Sequence, residues 1–253
     1  ANVQVGTGIG AKLACSGRYL SGFDAPQVAA DIASYSAAAD LLTISYDDVE
    51  KTASASLFGL GTTRAKFRPG IGCTLVRPGS EQLDEIRVPK IQQSLQPWPR
   101  GSMVDSLDIG AQSQIEKMLV KDNEEGLQTR SLLVVRNGSI ISEAYAQGFS
   151  PQTPLLGWSM GKSLSAIMLG HLAYADRLAM GETELFGEWS RDERRNITLQ
   201  QLLQMSSGLD FSEVYAPGSD ATRMLFVEAS ASGVAKTSAL IHAPGSHFSY
   251  SSG

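Results

Sequence analysis

The chain has 253 residues, 42% of them hydrophobic, and a formal net charge of −5. That length and apolar content build one sizeable core, or one core with a smaller appended unit. The charge gives no electrostatic basis for nucleic-acid binding, and no apolar run approaches the ~20 residues of a membrane span. Gly6-Thr7-Gly8-Ile9-Gly10-Ala11 fits the glycine pattern of a dinucleotide turn. Too few residues precede it for the strand that feeds such a turn, and Cys15-Ser16-Gly17 interrupts the helix that must follow. The start therefore reads as a flexible or extended arm, without the basic start and long apolar run of a signal peptide.

Asp24 is placed to cap a short helix over Pro26 to Ala38, with proline in its first turn. Leu41 to Ser45 and Ala53 to Leu60 read as strands around a Tyr46-Asp47-Asp48 turn, and Phe67 to Val76 as another strand entered through Pro69-Gly70. The two cysteines, Cys15 and Cys73, both lie in this N-terminal third. One structural disulfide and two buried thiols both stay open. From Arg87 to Asp105, Pro89, Pro97, Pro99 and Gly101 among Gln and Ser mark a connection, with Trp98 pinning it to the surface. The expected division is an accessory unit over 1–100 and a main domain over 101–253.

The main domain opens with a helix from about Ile109 to Lys121. Two antiparallel strands follow, Arg130 to Arg136 and Ser139 to Tyr145, joined by Asn137-Gly138, the strongest short hairpin signal. Then comes Gly157-Trp158-Ser159-Met160-Gly161-Lys162-Ser163. With a helix starting near Ser159, the i and i+3 spacing brings the Ser159 hydroxyl and the Lys162 amine to one face, as nucleophile and base. Leu164, Ile167, Met168 and Leu172 recur at helical spacing, so this helix is expected to be buried, with His171 a satisfied core histidine. A base lysine must shed its proton near neutral pH, which asks for a closed, mostly apolar site.

The same seven residues carry other readings. Gly161-Lys162-Ser163 ends like a phosphate loop, but the first glycine is displaced by Leu156. Gly157-Trp158-Ser159-Met160-Gly161 fits a nucleophile elbow, with Asp210, Asp220, His242 and His247 downstream, yet Pro151 and Pro154 argue against the strand such an elbow needs. A serine capping a helix beside a chance lysine is the bland alternative. Farther on, Thr198 caps Leu199 to Met205, whose Leu202, Leu203 and Met205 read as core, and Gly208 stops it. Arg191 to Arg195 reads as a solvated charged turn. No His, Cys, Asp or Glu spacing suggests a metal, and no cofactor is expected.

Ser159-x-x-Lys162, the leucine-rich helix ending in Ser207-Gly208-Leu209, Pro244-Gly245, and Tyr250-Ser251-Ser252 together resemble the serine β-lactamase and DD-peptidase superfamily. The closest resemblance is to its class C branch, with related esterases and 6-aminohexanoate-dimer hydrolases, and it covers roughly Leu132 to Gly253. It implies an α+β fold, an antiparallel sheet flanked by helices beside an all-helical lobe, incomplete in this chain and accompanied by the small N-terminal β-containing unit. It also implies Ser159 as acylated nucleophile, Lys162 as its base partner, Tyr250 as second proton-transfer group and Ser252 as a binding residue. Ser252 stands where class C β-lactamases carry asparagine, which favours an ester or amide substrate over an antibiotic. A non-catalytic penicillin-binding-like receptor is the alternative from another class. Because the resembled enzymes continue beyond the tyrosine triplet, the resemblance implies either that this is a fragment or that a second polypeptide supplies the C-terminal strands, and a partner chain is the expectation. The resemblance further implies a processed periplasmic or secreted protein.

Overall fold

The computed structural model describes residues 2–35, 37–90, 92 and 94–253. Ser36, within the expected helix, and Ile91 and Gln93, within the expected connection, lie outside them. The fold is mixed α+β with two antiparallel sheets. Packing groups the chain into two compact units, one of residues 1–87 with 156–253 and one of residues 88–155. The division expected from composition follows chain order, whereas these units follow packing.

In the first unit the start of the chain is helical, α1 (Asn2–Cys15), where an arm was expected. Glycine disfavours helix in isolation, but here absent side chains allow close approach. A Cβ on Gly8 would collide with the Phe226 carbonyl, and one on Gly10 would press on Leu42 and Ala55. α1 lies on a meander of four strands, β1 (Leu42–Asp47), β2 (Thr52–Leu57), β3 (Leu60–Arg68) and β4 (Gly72–Leu75). Ala11, Ala14, Ala53, Ala55 and Ala65 meet in their core with Leu13, Val28 and Ile32. Small side chains on both surfaces set the helix close to the sheet, and Thr7 Oγ1 lies 2.8 Å from Thr63 Oγ1.

Three of the expected bounds differ: Tyr46 and Asp47, expected in a turn, pair with Ala53 and Thr52 inside β1, and two strands end elsewhere. Phe58 and Gly59, at φ 49° and 74°, form a two-residue hairpin turn, so the strand expected through Leu60 ends at Leu57 and β3 begins at Leu60. Pro69-Gly70-Ile71 is the turn between β3 and β4, closed by Ile71 N–H donating to the Arg68 carbonyl at 3.0 Å, and Phe67 to Val76 is thus the end of β3, a turn and the whole of β4. α2 (Ala25–Ala33) has its Asp24 cap, with Gln27 N–H donating to the carboxylate, but stops before Ala38. Ser34 Oγ donates to the Asp31 carbonyl, a local bond that competes with the helical ladder. Cys15 and Cys73 form a disulfide that ties the end of α1 to β4.

In the remainder of this unit the regular structure is helical, with irregular segments between: α4 (Met160–Tyr174), α5 (Leu199–Leu203), α6 (Asp220–Phe226) and α7 (Ala231–Thr237). Arg77 joins it to the N-terminal part, its guanidinium donating to the Val227 and Phe226 carbonyls at 2.8 and 3.0 Å. Trp189 is 1% exposed and donates through Nε1 to the Lys236 carbonyl. The charged stretch 191–195 is more than a solvated turn. Arg194 binds Asp192 and donates to the carbonyls of Lys236 and Ser238, pinning the end of α7.

The second unit holds α3 (Ile109–Glu124), capped by Asp108, and the hairpin β5 (Ser131–Arg136) and β6 (Ser139–Tyr145). Asn137 and Gly138 take φ of 51° and 76°, as the hairpin signal requires. Ile115 and Leu119 pack on Ala144, and Gln112 exchanges two hydrogen bonds with the Glu143 backbone, fixing helix to strand.

Candidate active site

The entry into α4 is tight. Trp158 sits at φ 42°, unusual for a bulky residue, and its indole packs 5.8 Å from the Tyr35 ring while donating to the Tyr35 hydroxyl. Successive turn bonds from Met160, Gly161 and Lys162 N–H to Gly157, Trp158 and Ser159 carbonyls start the helix. Ser159 occupies the N-cap position but makes no capping bond with its side chain. The capping explanation for this serine is thereby removed. Its Oγ is instead 3.0 Å from Lys162 Nζ, one turn along the same face.

The tyrosine triplet reaches this pair through the turn after α5. The Thr198 and Gln201 side chains close a capping box at the start of α5. After it, Gly208 at φ 81° accepts from Ile241 and His242, so close to the returning segment that a Cβ would strike the His242 carbonyl. Gly245 and Ser249 then donate to the Ser206 and Met205 carbonyls. These bonds align the extended end of the segment with α4. Lys162 Nζ donates to Ser252 Oγ at 2.8 Å and lies 4.8 Å from the centre of the Tyr250 ring. Hydrogen bonding to Ser159, and next to Lys162, holds the Tyr250 phenol below its ordinary value. Ser159, Lys162, Tyr250 and Ser252 therefore meet at one place.

Glu213 joins them and was missed in the sequence. Its two carboxylate oxygens accept from Ser252, Oε1 from the hydroxyl at 2.6 Å and Oε2 from the backbone N–H at 2.7 Å. A separation of 39 residues with no helical or strand relation leaves no pattern to reveal it.

Beside the serine lies a cavity of about 370 Å³, lined by Lys12, Trp158, Ser159, Lys162, Phe226 and Ser252 among others. Lys12 donates to the Cys73 carbonyl at 2.8 Å, and burial pulls its ammonium down from the ordinary value. The N-terminal part of the chain thus supplies one wall.

The site is more open than expected. Tyr250 is 43% exposed, and α4 buries none of its residues; Leu164, Ile167, Met168 and Leu172 are all exposed, as is His171. Helical spacing identifies an apolar face but not what covers it, and among the described residues nothing does. His242 and His247 stack on each other with ring centres 4.3 Å apart, lining a different, smaller pocket with Asp210. The segment 150–159 contains turns and no strand, so the support an elbow needs is missing there. Among the described residues no group of three or more His, Cys, Asp or Glu is placed to hold a metal ion, and no helix is long and apolar enough to cross a membrane.

The family model described as Beta-lactamase matches residues 114–253. Among solved structures, the chain is similar to a candidate 6-aminohexanoate-dimer hydrolase from Bacillus anthracis, at 22% identity and a TM-score of 0.42, over 53% of this chain and 38% of that one. The chain thus spans well under half the length of that neighbour. No curated protein matches it.

Proposed function

The chain belongs to the beta-lactamase family, and from that premise we propose that it is a serine hydrolase acting through a covalent acyl-enzyme on an ester or amide. The observation that carries this reading is the 3.0 Å approach of Lys162 Nζ to an uncapped Ser159 Oγ. In the proposed reaction Lys162, assisted by Tyr250, takes the hydroxyl proton as Ser159 Oγ bonds to the substrate carbonyl carbon. The bond to the alcohol or amine then breaks, and the leaving group takes up that proton. Water, deprotonated by the same pair, attacks the acyl-enzyme, releases the acid and regenerates the serine. The Ser159 N–H, at a helix start where no helical acceptor precedes it, is the proposed donor to the oxyanion.

Ser252 in place of asparagine supports ester or amide substrates over β-lactams. The second polypeptide expected from the sequence belongs to the same proposal, since the exposed apolar residues of α4 offer a surface for it to bury. The Cys15–Cys73 disulfide supports a periplasmic or secreted location, where such bonds persist. The test is labelling with a fluorophosphonate. The unmodified chain should label once and Ser159→Ala not at all, and labelling that survives in Ser159→Ala refutes the assignment.

A further inference from the structure

The geometry points to Glu213 as a positioning residue that acts on Lys162 through the Ser252 hydroxyl. This rests on the reading of Ser159 and Lys162 as nucleophile and base.

The argument is one of hydrogen-bond direction. A carboxylate has only acceptors. With Oε1 at 2.6 Å from Ser252 Oγ, the single hydroxyl hydrogen must point at Glu213. Ser252 Oγ can then only accept from Lys162, 2.8 Å away, so one N–H of the amine is committed there in either charge state. Once Lys162 is neutral, that commitment turns its lone pair away from Ser252 and leaves it for Ser159. When Lys162 takes the serine proton, the new ammonium faces an acceptor already polarised by a negative charge. The second contact, Ser252 N–H to Oε2 at 2.7 Å, prevents the carboxylate from rotating out of this role. The charged and titratable groups gathered around the relay are Lys162 of α4, Tyr250 on the triplet and Glu213 itself, with Lys12 of α1 and Tyr215 lining the same cavity.

Glu213→Gln keeps the shape and breaks the logic. If the amide NH₂ faces the Ser252 backbone N–H, two donors oppose each other. If it faces Ser252 Oγ, it donates there, and the released hydroxyl hydrogen turns toward Lys162 and competes for its lone pair.

The experiment measures fluorophosphonate acylation rates against pH for the full chain and for Glu213→Gln, Ser252→Ala and the double variant, with melting curves for each. Glu213→Gln should lower the plateau rate roughly tenfold to a hundredfold, by analogy with the loss on removing partners that orient metal ligands. Its rising limb should move to lower pH, because the Glu213 charge raises the Tyr250 phenol. In the Ser252→Ala background the same substitution should cost little more, since the link is already gone. A Glu213→Gln protein with the original rate and an unmoved limb overturns the relay, as does a defect equally large without the Ser252 hydroxyl. If Glu213→Gln melts low, Ser252→Ala decides, since it removes the link and keeps the carboxylate, and an unchanged rate there rejects the relay. Labelling retained by Ser159→Ala, or none in the unmodified chain, instead rejects the underlying serine-hydrolase reading.

Discussion

A serine and a lysine one helical turn apart can exchange a proton only if the hydroxyl is not spent on capping the helix and the amine is held facing it. Here Ser159 is excused from capping, and Lys162 is held by Ser252 and covered by the Tyr250 ring. The lowered phenol gives a prediction with a definite sign. A phenol held below its ordinary value reaches its phenolate form at lower pH, so acylation of Ser159 should climb with pH before free tyrosine would titrate. Tyr250→Phe should abolish that limb and slow acylation by about 10²- to 10⁴-fold, read from the same labelling assay. At this scale the sequence was legible where residues sit close along the chain. Ser159 and Lys162 declare themselves by spacing, and Tyr250 and Ser252 through the company they keep. Glu213 does not, because its role exists only after two distant segments have met.

Elements were legible where the chain carries local punctuation. Asp24 and Thr198 cap the helices they were expected to cap, and Asn137-Gly138 turns its hairpin. α1 went unrecognised because its glycines look like helix breakers, while their use lies in what they let near. Gly8→Ala should therefore destabilise the protein by roughly 1–3 kcal/mol, although alanine is the better helix former. Urea unfolding monitored by circular dichroism checks the sign, and a gain in stability would mean that α1 has room to spare. The strand errors have a similar root. Phe58 has the profile of a strand residue yet occupies a turn, and nothing local to Pro69-Gly70 says whether it opens a strand or separates two.

At the scale of the molecule, fold class could be anticipated from motifs, whereas the grouping of the N-terminal segment with the helical part could not. That grouping rests on contacts such as Arg77 with Phe226 and Val227, roughly 150 positions apart in the chain, which no periodicity encodes. The disulfide adds to the N-terminal part from the other direction. A sequence separation of 58 restricts the unfolded chain by about 4 kcal/mol. The chain leaves this unit after Arg87 and re-enters it at Leu156, with an exposed, proline-rich stretch between. A single protease cut in that stretch should yield two bands on a denaturing gel yet one particle on gel filtration, because the severed halves stay clasped by the Arg77 guanidinium and the seat of α1 under Phe226. The covalent continuity of residues 88–155 would then be dispensable for keeping Ser159 beside the wall that Lys12 supplies.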